Sequence, residues 1–241
     1  MKGVLPSRLP MEGTYSTYPE ALDKATGYDS IGIALQVEAT VRALLRGDIA
    51  YERDGTGYQQ IPEGLMLRKL LSTYLRPGDV VVDFGGGLGG TFLNHADLFP
   101  SGCRKIVVEQ PLFVERGRAL AASIGLDIQF SERLDVLSRV DVVLASCVLQ
   151  YLENYDPAIV SMVAMRPRAI ILDRIALAGR ERWHVQVCEG YGEGAARIPI
   201  RPLLRRRLVK LIPGYRVAAE WSNAFDPDIP THRGFLFLHE G

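Results

Sequence analysis

The sequence predicts an α/β protein: a mostly parallel sheet flanked by helices, closing in an antiparallel hairpin and preceded by a helical arm. Three observations predict it. From Gly78 onward, short β-branched runs alternate with segments of helical spacing, the signature of repeated βα units with right-handed crossovers. The first run, Val80-Val81-Val82-Asp83, leads into a turn holding Gly85, Gly86, Gly87, Gly89 and Gly90. The last two runs, 215–221 and 234–239, are joined by a loop with no helix between them, so they pair antiparallel.

Taken in order, residues 1–29 are rich in Pro, Gly, Tyr and Thr and read as an irregular arm. Asp29 or Ser30 can cap a helix that buries Ala34, Val37, Val41, Leu44 and Leu45 and stops at Gly47. Residues 48–61 are polar with two glycines and read as a loop. Pro62 opens a second helix, burying Leu65, Leu70, Leu71 and Leu75, which ends at Arg76-Pro77-Gly78. Residues 1–78 thus form an N-terminal arm or cap, and 79–241 the main domain. In that domain strands are expected at 80–84, 104–109, 127–130, 140–146 and 168–173. Helices are expected at 91–99, 111–124, 132–138, 156–165 and 203–211, with 174–202 a substrate loop.

Composition narrows the class. The 241 residues are 47% hydrophobic and 23% charged, enough for one large α/β domain with an appendage. Lys+Arg and Asp+Glu are 28 each, so no global field draws the chain to nucleic acid or an anionic membrane. Arg205-Arg206-Arg207, with Arg201 and Lys210, reads as a solvated helix face, unaccompanied by any nucleic-acid-binding motif. No apolar run reaches the roughly 18 residues of a membrane span. Residues 1–10 lack the apolar core of a signal peptide. Cys103, Cys147 and Cys188 form no Cys-x-x-Cys pair, which fits a reduced, cytoplasmic protein, and no metal-ligand cluster is visible.

The glycine turn matches two cofactor patterns. Gly85-x-Gly87-x-x-Gly90 fits the dinucleotide fingerprint. Asp83-x-Gly85-x-Gly87-x-Gly89 fits the acidic-x-G-x-G-x-G pattern of class I S-adenosylmethionine (SAM) methyltransferases. The acid favours the second, because SAM carries a sulfonium and an ammonium, whereas a pyrophosphate would be repelled there. Phe84 and Gly86 complete the loop. Glu109, twenty residues beyond Gly89 at the end of the second strand, can accept hydrogen bonds from both ribose hydroxyls. Gln110 can reach the adenine. Ser131 and Glu132 can face its edge. Ser146, Cys147 and Gln150, at the exit of the fourth strand, would lie beneath the methionine part. For Cys147, Val148 and Leu149, core packing is an equal reading.

As a whole the chain resembles a family of bacterial class I methyltransferases whose genes often lie near polysaccharide-synthesis genes. The resembling segments are Gly27-Tyr28-Asp29-Ser30, Tyr51-Glu52-Arg53-Asp54, Val82-Asp83-Phe84-Gly85-Gly86, Val108-Glu109-Gln110, Ser146-Cys147-Val148-Leu149-Gln150-Tyr151 and Leu172-Asp173-Arg174. The resemblance implies a SAM-binding, Rossmann-like fold and places Asp83, Gly85, Gly87 and Glu109 at the cofactor. It implies no acceptor, and it is weakest beyond about residue 190.

Methyl transfer from a sulfonium is an in-line displacement, governed largely by positioning and aided by a base when the acceptor is a hydroxyl. Asp173 and Arg174 follow the fifth strand. Asp173 can orient or deprotonate an acceptor and Arg174 can clamp an anionic one, or the two simply pair with each other. His184, near Trp183, Gln186 and Glu189, is the best-suited histidine for a base, with His95 expected on a surface and His232 and His239 flanking the last strand. Tyr15, Tyr18 and Tyr28 either close over the cofactor or pack on the body. The expected activity is SAM-dependent methylation, on oxygen of a small molecule or glycan precursor. The alternatives are an NAD(P)-dependent oxidoreductase or epimerase, against which stands the lack of any Tyr-x-x-x-Lys pair, and a non-catalytic SAM-binding partner subunit. A homo-oligomer remains open.

Overall fold

The computed structural model describes residues 11–27, 30–135, 137, 139–191, 194–222 and 232–241. Strand β1 (Met11–Tyr15) and the short helix α1 (Tyr18–Leu22) precede α2 (Ile31–Arg46), which Gly47 terminates in a left-handed conformation. A hairpin of β2 (Tyr51–Arg53) and β3 (Thr56–Tyr58) leads to α3 (Met66–Tyr74). There follow β4 (Val80–Phe84), α4 (Gly90–Asn94), a 3-10 turn at Ala96–Leu98, β5 (Arg104–Val108), α5 (Pro111–Ile124) and β6 (Gln129–Ser131). Next come β7 (Val142–Ser146), a 3-10 turn at Leu149–Tyr151, α6 (Asp156–Ala164) and β8 (Ala169–Ala176). The chain ends with β9 (Trp183–Tyr191), β10 (Gly194–Ile200), α7 (Arg205–Lys210), β11 (Tyr215–Ser222) and β12 (His232–His239).

Seven strands form the central sheet in the order β11-β12-β8-β7-β4-β5-β6. Strands β4 to β8 are parallel, and β12 lies antiparallel between β8 and β11. The chain builds outward from β4 through β5 to β6, then returns to place β7 on the other side of β4. That reversal opens a crevice beyond the carboxyl ends of β4 and β7, the place where ligands bind in open α/β sheets. The strands are apolar on both faces because both are covered. Val80 and Val82 face a core with Ile106, Val143, Tyr155, Ile159 and Leu208, whereas Val81 faces one with Leu70, Leu71, Phe92, Val107 and Val114.

A second, three-stranded antiparallel sheet has the order β1-β9-β10. Helix α2 lays Ile33, Ala34, Val37 and Val41 against Leu88 of the glycine loop, Phe113 and Leu120 of α5, and Ala196 and Ile198 of β10. The N-terminal segment therefore packs directly over the glycine loop.

Several expected elements are corrected. Residues 1–29 are not uniformly irregular, since they contain β1 and α1. Residues 48–61 hold a hairpin whose turn, Asp54-Gly55, has φ of 49° and 75°, the conformation that Asp-Gly favours between twisted strands. Segment 174–202 is not a loop. Strand β8 runs on to Ala176, and Trp183, Val185, Ala196, Ile198 and Ile200 alternate inward along β9 and β10. Helix 91–99 is split at His95 into α4 and a 3-10 turn. No described residue of 132–138 is helical. There Ser131 Oγ donates to the Arg133 carbonyl at 2.9 Å, a local bond that competes with helix formation. Tyr28 and Asp29 lie outside the described residues, as does the side chain of Glu189. Among the described residues no helix is long and apolar enough to cross a membrane.

Candidate functional site

Strand β4 delivers Asp83 to the crevice, and the chain turns at once through Gly85. The Gly85 N–H donates to the Val108 carbonyl at 2.8 Å, pinning the turn to β5. Its φ is 75°, and a Cβ there would lie 2.4 Å from Val148, so the position admits only glycine. At Gly87 a Cβ would meet nothing closer than Val37 at 4.0 Å, so the loop presents bare backbone to open space.

Asp83 is 1% exposed, and its Oδ2 is buried without a partner. Burial pushes its carboxyl up to about 7; a hydrogen bond from Thr91 opposes this and the neighbouring Glu109 adds to it. Glu109, just past β5, is also pushed by burial to about 7, although the N–H groups of Gln110 (2.6 Å) and Gly87 pull it back. Gln110 Nε2 is buried with no partner.

The far wall of the cleft is the β2–β3 hairpin. Asn94 of α4 ties it down, its Nδ2 donating to the Glu52 carbonyl at 2.7 Å and its Oδ1 accepting the Glu52 N–H at 2.9 Å. Glu52 Oε1 accepts the Gly55 N–H at 2.9 Å. Glu52 is 6% exposed, and burial raises its carboxyl to about 7, with the Gly55 bond acting in the opposite direction. At the hairpin tip Asp54 pairs with Arg174 at 2.7 Å. Desolvation at the mouth pushes Asp54 up, but the Arg174 guanidinium outweighs it and holds the carboxyl at about 2.

Strand β8 supplies the third wall. Asp173 accepts from Trp221 Nε1 at 3.2 Å, and burial raises its carboxyl while Arg174 pulls it down. Arg174 has φ of 52°, and its Nε donates to Ser146 Oγ at 3.1 Å. Cys147 also has a positive φ, 56°. Left-handed non-glycine residues cost energy unless their surroundings hold them, and three (Asp54, Cys147 and Arg174) converge here.

Of the residues singled out in the sequence, Asp83, Gly85, Gly86, Gly87, Ser146, Asp173 and Arg174 line the cleft. Glu109 and Gln110 stand beside it at the tip of β5, and Phe84 packs into the core. Gly89 caps α4. Cys147 and Gln150 turn into the framework below: Gln150 Nε2 lies 3.2 Å from Cys147 Sγ and donates to the Arg174 carbonyl at 3.1 Å. His184 is not among the lining residues. It sits on β9 with Nδ1 2.7 Å from the Gly13 carbonyl. His95, expected on a surface, is 2% exposed and lines the cleft. Its Nδ1 lies 2.9 Å from the Thr91 carbonyl, and burial lowers its pKa. Tyr15 and Tyr18 pack with Trp183, away from the cleft. Glu52, Asp54, Asn94 and Trp221 were not anticipated as site residues. The signal for the first two was the Asp-Gly turn between two short alternating runs.

The fold is the Rossmann-like methyltransferase fold. The CcbJ methyltransferase of Streptomyces caelestis is similar with a TM-score of 0.52 at 15% identity, over 75% of this chain and 91% of that one. The PH0226 protein of Pyrococcus horikoshii is similar at 0.51 and 13% identity, over 72% and 88%. A Haloferax volcanii chain solved in complex with the Trm112 methyltransferase activator is similar at 0.50 and 14% identity, over 72% and 88%. At these identities the likeness is one of fold. No family model matches the sequence, and no curated protein does. Among the described residues no group of three or more His, Cys, Asp or Glu side chains is gathered as for a metal ion.

Proposed function

We propose that this chain is a SAM-dependent methyltransferase that methylates an oxygen of a small molecule held in the cleft. The observation that carries the reading is the buried, partnerless Asp83 Oδ2 at the foot of an open glycine loop, at the reversal point of the sheet. Bound SAM would supply a methyl group on a sulfonium. The residues fit such a group: Asp83, Glu109 and Glu52 are three desolvated carboxyls held near neutrality, and a ligand bearing two cationic centres gives them a reason to ionise. A dinucleotide would bring its pyrophosphate against the same acids, which opposes the oxidoreductase alternative. Glu109 and Gln110 are the groups for ribose and adenine.

Acceptor binding falls to the walls beyond the loop: Ser146, Asp173, Arg174 and Trp221 on one side, Tyr51 and Glu52 on the other. As the acceptor oxygen takes the methyl group, the C–S electron pair stays with sulfur and the hydroxyl proton needs a base. Glu52 suits that task, because a base poised near the working pH combines the ionised form with useful basicity. Asp173 is the second carboxyl facing the acceptor space. Glycan precursors are the acceptors to screen first.

Calorimetric titration of the purified chain with SAM, S-adenosylhomocysteine, NAD and NADP tests the cofactor, with Asp83→Ala and Glu109→Ala as controls. The expected result is micromolar binding of SAM or S-adenosylhomocysteine that weakens at least tenfold in both variants. NAD(P) binding without SAM binding overturns the reading. SAM binding with no turnover on any acceptor leaves a binding subunit instead of an enzyme.

A further inference from the structure

Asp54 occupies a place built for an anion. Its carboxylate is gripped by two guanidiniums, Arg174 Nη1 at 2.7 Å and Nη2 at 3.3 Å, and Arg53 Nε at 3.4 Å. All three residues line the cleft. The side chains of Arg174 and Arg53 are 10% and 15% exposed, whereas that of Asp54 is 45% exposed. The cations are thus the fixed, buried members, and the anion is the one that solvent reaches.

The framework holds Arg174 independently of Asp54. Ser146 Oγ accepts from its Nε, and Gln150, fully buried, donates to its carbonyl. The Cys147 N–H donates to the Asp173 carbonyl at 2.9 Å, fixing the strand end on which Arg174 sits. The hairpin is equally independent at its tip, where Thr40 Oγ1 donates to the Gly55 carbonyl at 2.9 Å and Glu52 accepts the Gly55 N–H. Swinging the Asp54 side chain outward therefore breaks none of these bonds. It would leave the two Nη groups of a planar guanidinium, suited to two-pronged recognition of carboxylate or phosphate, facing the cleft with a second guanidinium beside it.

We propose that Arg174 and Arg53 form an anion subsite for the acceptor, and that Asp54 is its resident stand-in, displaced when a carboxylate- or phosphate-bearing acceptor binds. The proposal rests on the methyltransferase reading, for it assigns that acceptor a class: an anionic small molecule whose charged group docks at the β8 side of the cleft. Asp173, a further acid beside Arg174, is engaged by Trp221 Nε1 at 3.2 Å.

The test is binding of inorganic phosphate to the full-length chain by calorimetry, in wild type, Asp54→Asn and Asp54→Asn/Arg174→Gln. Asparagine keeps the shape of the side chain and removes its charge, so phosphate should bind at least tenfold tighter to Asp54→Asn than to wild type. The gain should vanish in the double variant. Equal phosphate affinity in all three overturns the proposal, as does a gain that survives loss of Arg174. S-adenosylhomocysteine is titrated in parallel. Its unchanged affinity in Asp54→Asn shows an intact fold, and its failure to bind wild type would count against the methyltransferase reading without bearing on the phosphate result. In an acceptor screen, turnover of carboxylated or phosphorylated compounds with a KM raised at least tenfold by Arg174→Gln supports the subsite. Turnover confined to neutral acceptors overturns it.

Discussion

The Glu52 carboxylate fills the space that a side chain on Gly90 would take: Oε2 lies 2.0 Å from the position of a Cβ there. Gly90 opens α4, where alanine is intrinsically favoured, so its lack of a side chain serves Glu52 rather than the helix. Gly90→Ala should fold with near wild-type stability yet push the carboxylate out of the cleft, lowering kcat at least tenfold. Glu52→Asp, one methylene shorter, should restore part of the activity in the Gly90→Ala background. Steady-state kinetics on the two single variants and the pair check this, and strictly additive losses would show that the two residues do not share that space.

Glu52→Gln separates binding from chemistry. Glutamine keeps the bond from the Gly55 N–H and loses only the ability to take a proton. If Glu52 is the base, kcat falls by about 10²- to 10⁴-fold. The rise of kcat with pH through about 7 should disappear with it, because that rise reports the Glu52 carboxyl. A full-strength variant with an unaltered pH profile would move the role to Asp173.

The same carboxyls make stability depend on pH. Asp83 and Glu52 are held near 7 in the folded chain and titrate near 4 when unfolded. Between those values the folded state holds more protons than the unfolded one. Stability therefore falls as pH rises from about 4 to about 7, by about 1.4 kcal/mol per pH unit for each fully differing proton. Asp54 works the other way, but its window lies between about 2 and 4, where its contribution is lost as pH falls. Thermal melting of the ligand-free chain should thus show a Tm that declines from pH 5 to pH 7.5. A cationic ligand favours the ionised carboxyls, so SAM binding at pH 6 should release protons, seen as a buffer-dependent heat in calorimetry.

The sheet was legible because its signals are local and mutually consistent: β-branched runs, glycine after the strand, and a terminal pair of strands with no helix between. Asp83 and Gly85 were legible for the same reason. The hairpin wall was not, since Glu52 acquires its role only by folding onto Gly90 and Asn94, about forty residues away in sequence. His95 was misread because its helix breaks there, and the ring turns inward beneath Tyr51, with centroids 6.3 Å apart. His184 looked catalytic by residue type alone. The strand that carries it belongs to the second sheet, a pairing with β1 that spans most of the chain and leaves no local trace. Arg174 is legible as a candidate, but the only partner the sequence offers for it is Asp173, whereas it pairs with Asp54, because a neighbour in sequence is visible where a neighbour in space is not.

Asp83→Asn should trade binding for stability, with a pH signature. Above pH 7 the wild-type chain carries an ionised carboxylate with one oxygen buried and unpartnered. Asparagine has the same shape and no charge, so it escapes that penalty while placing its own amide in the same confined site. The comparison therefore depends on pH. Near pH 5 the wild-type acid is protonated and as uncharged as the amide, leaving the variant equal or slightly less stable. By pH 8 the balance moves toward the variant, and its Tm relative to wild type should rise by at least about 2–4 °C across that range. Over the same range its affinity for S-adenosylhomocysteine should be at least tenfold weaker than that of wild type. A stabilised variant with undiminished affinity would detach Asp83 from the cofactor. Lost affinity with no pH-dependent change in Tm would mean that Asp83 is ionised at little cost in the ligand-free fold.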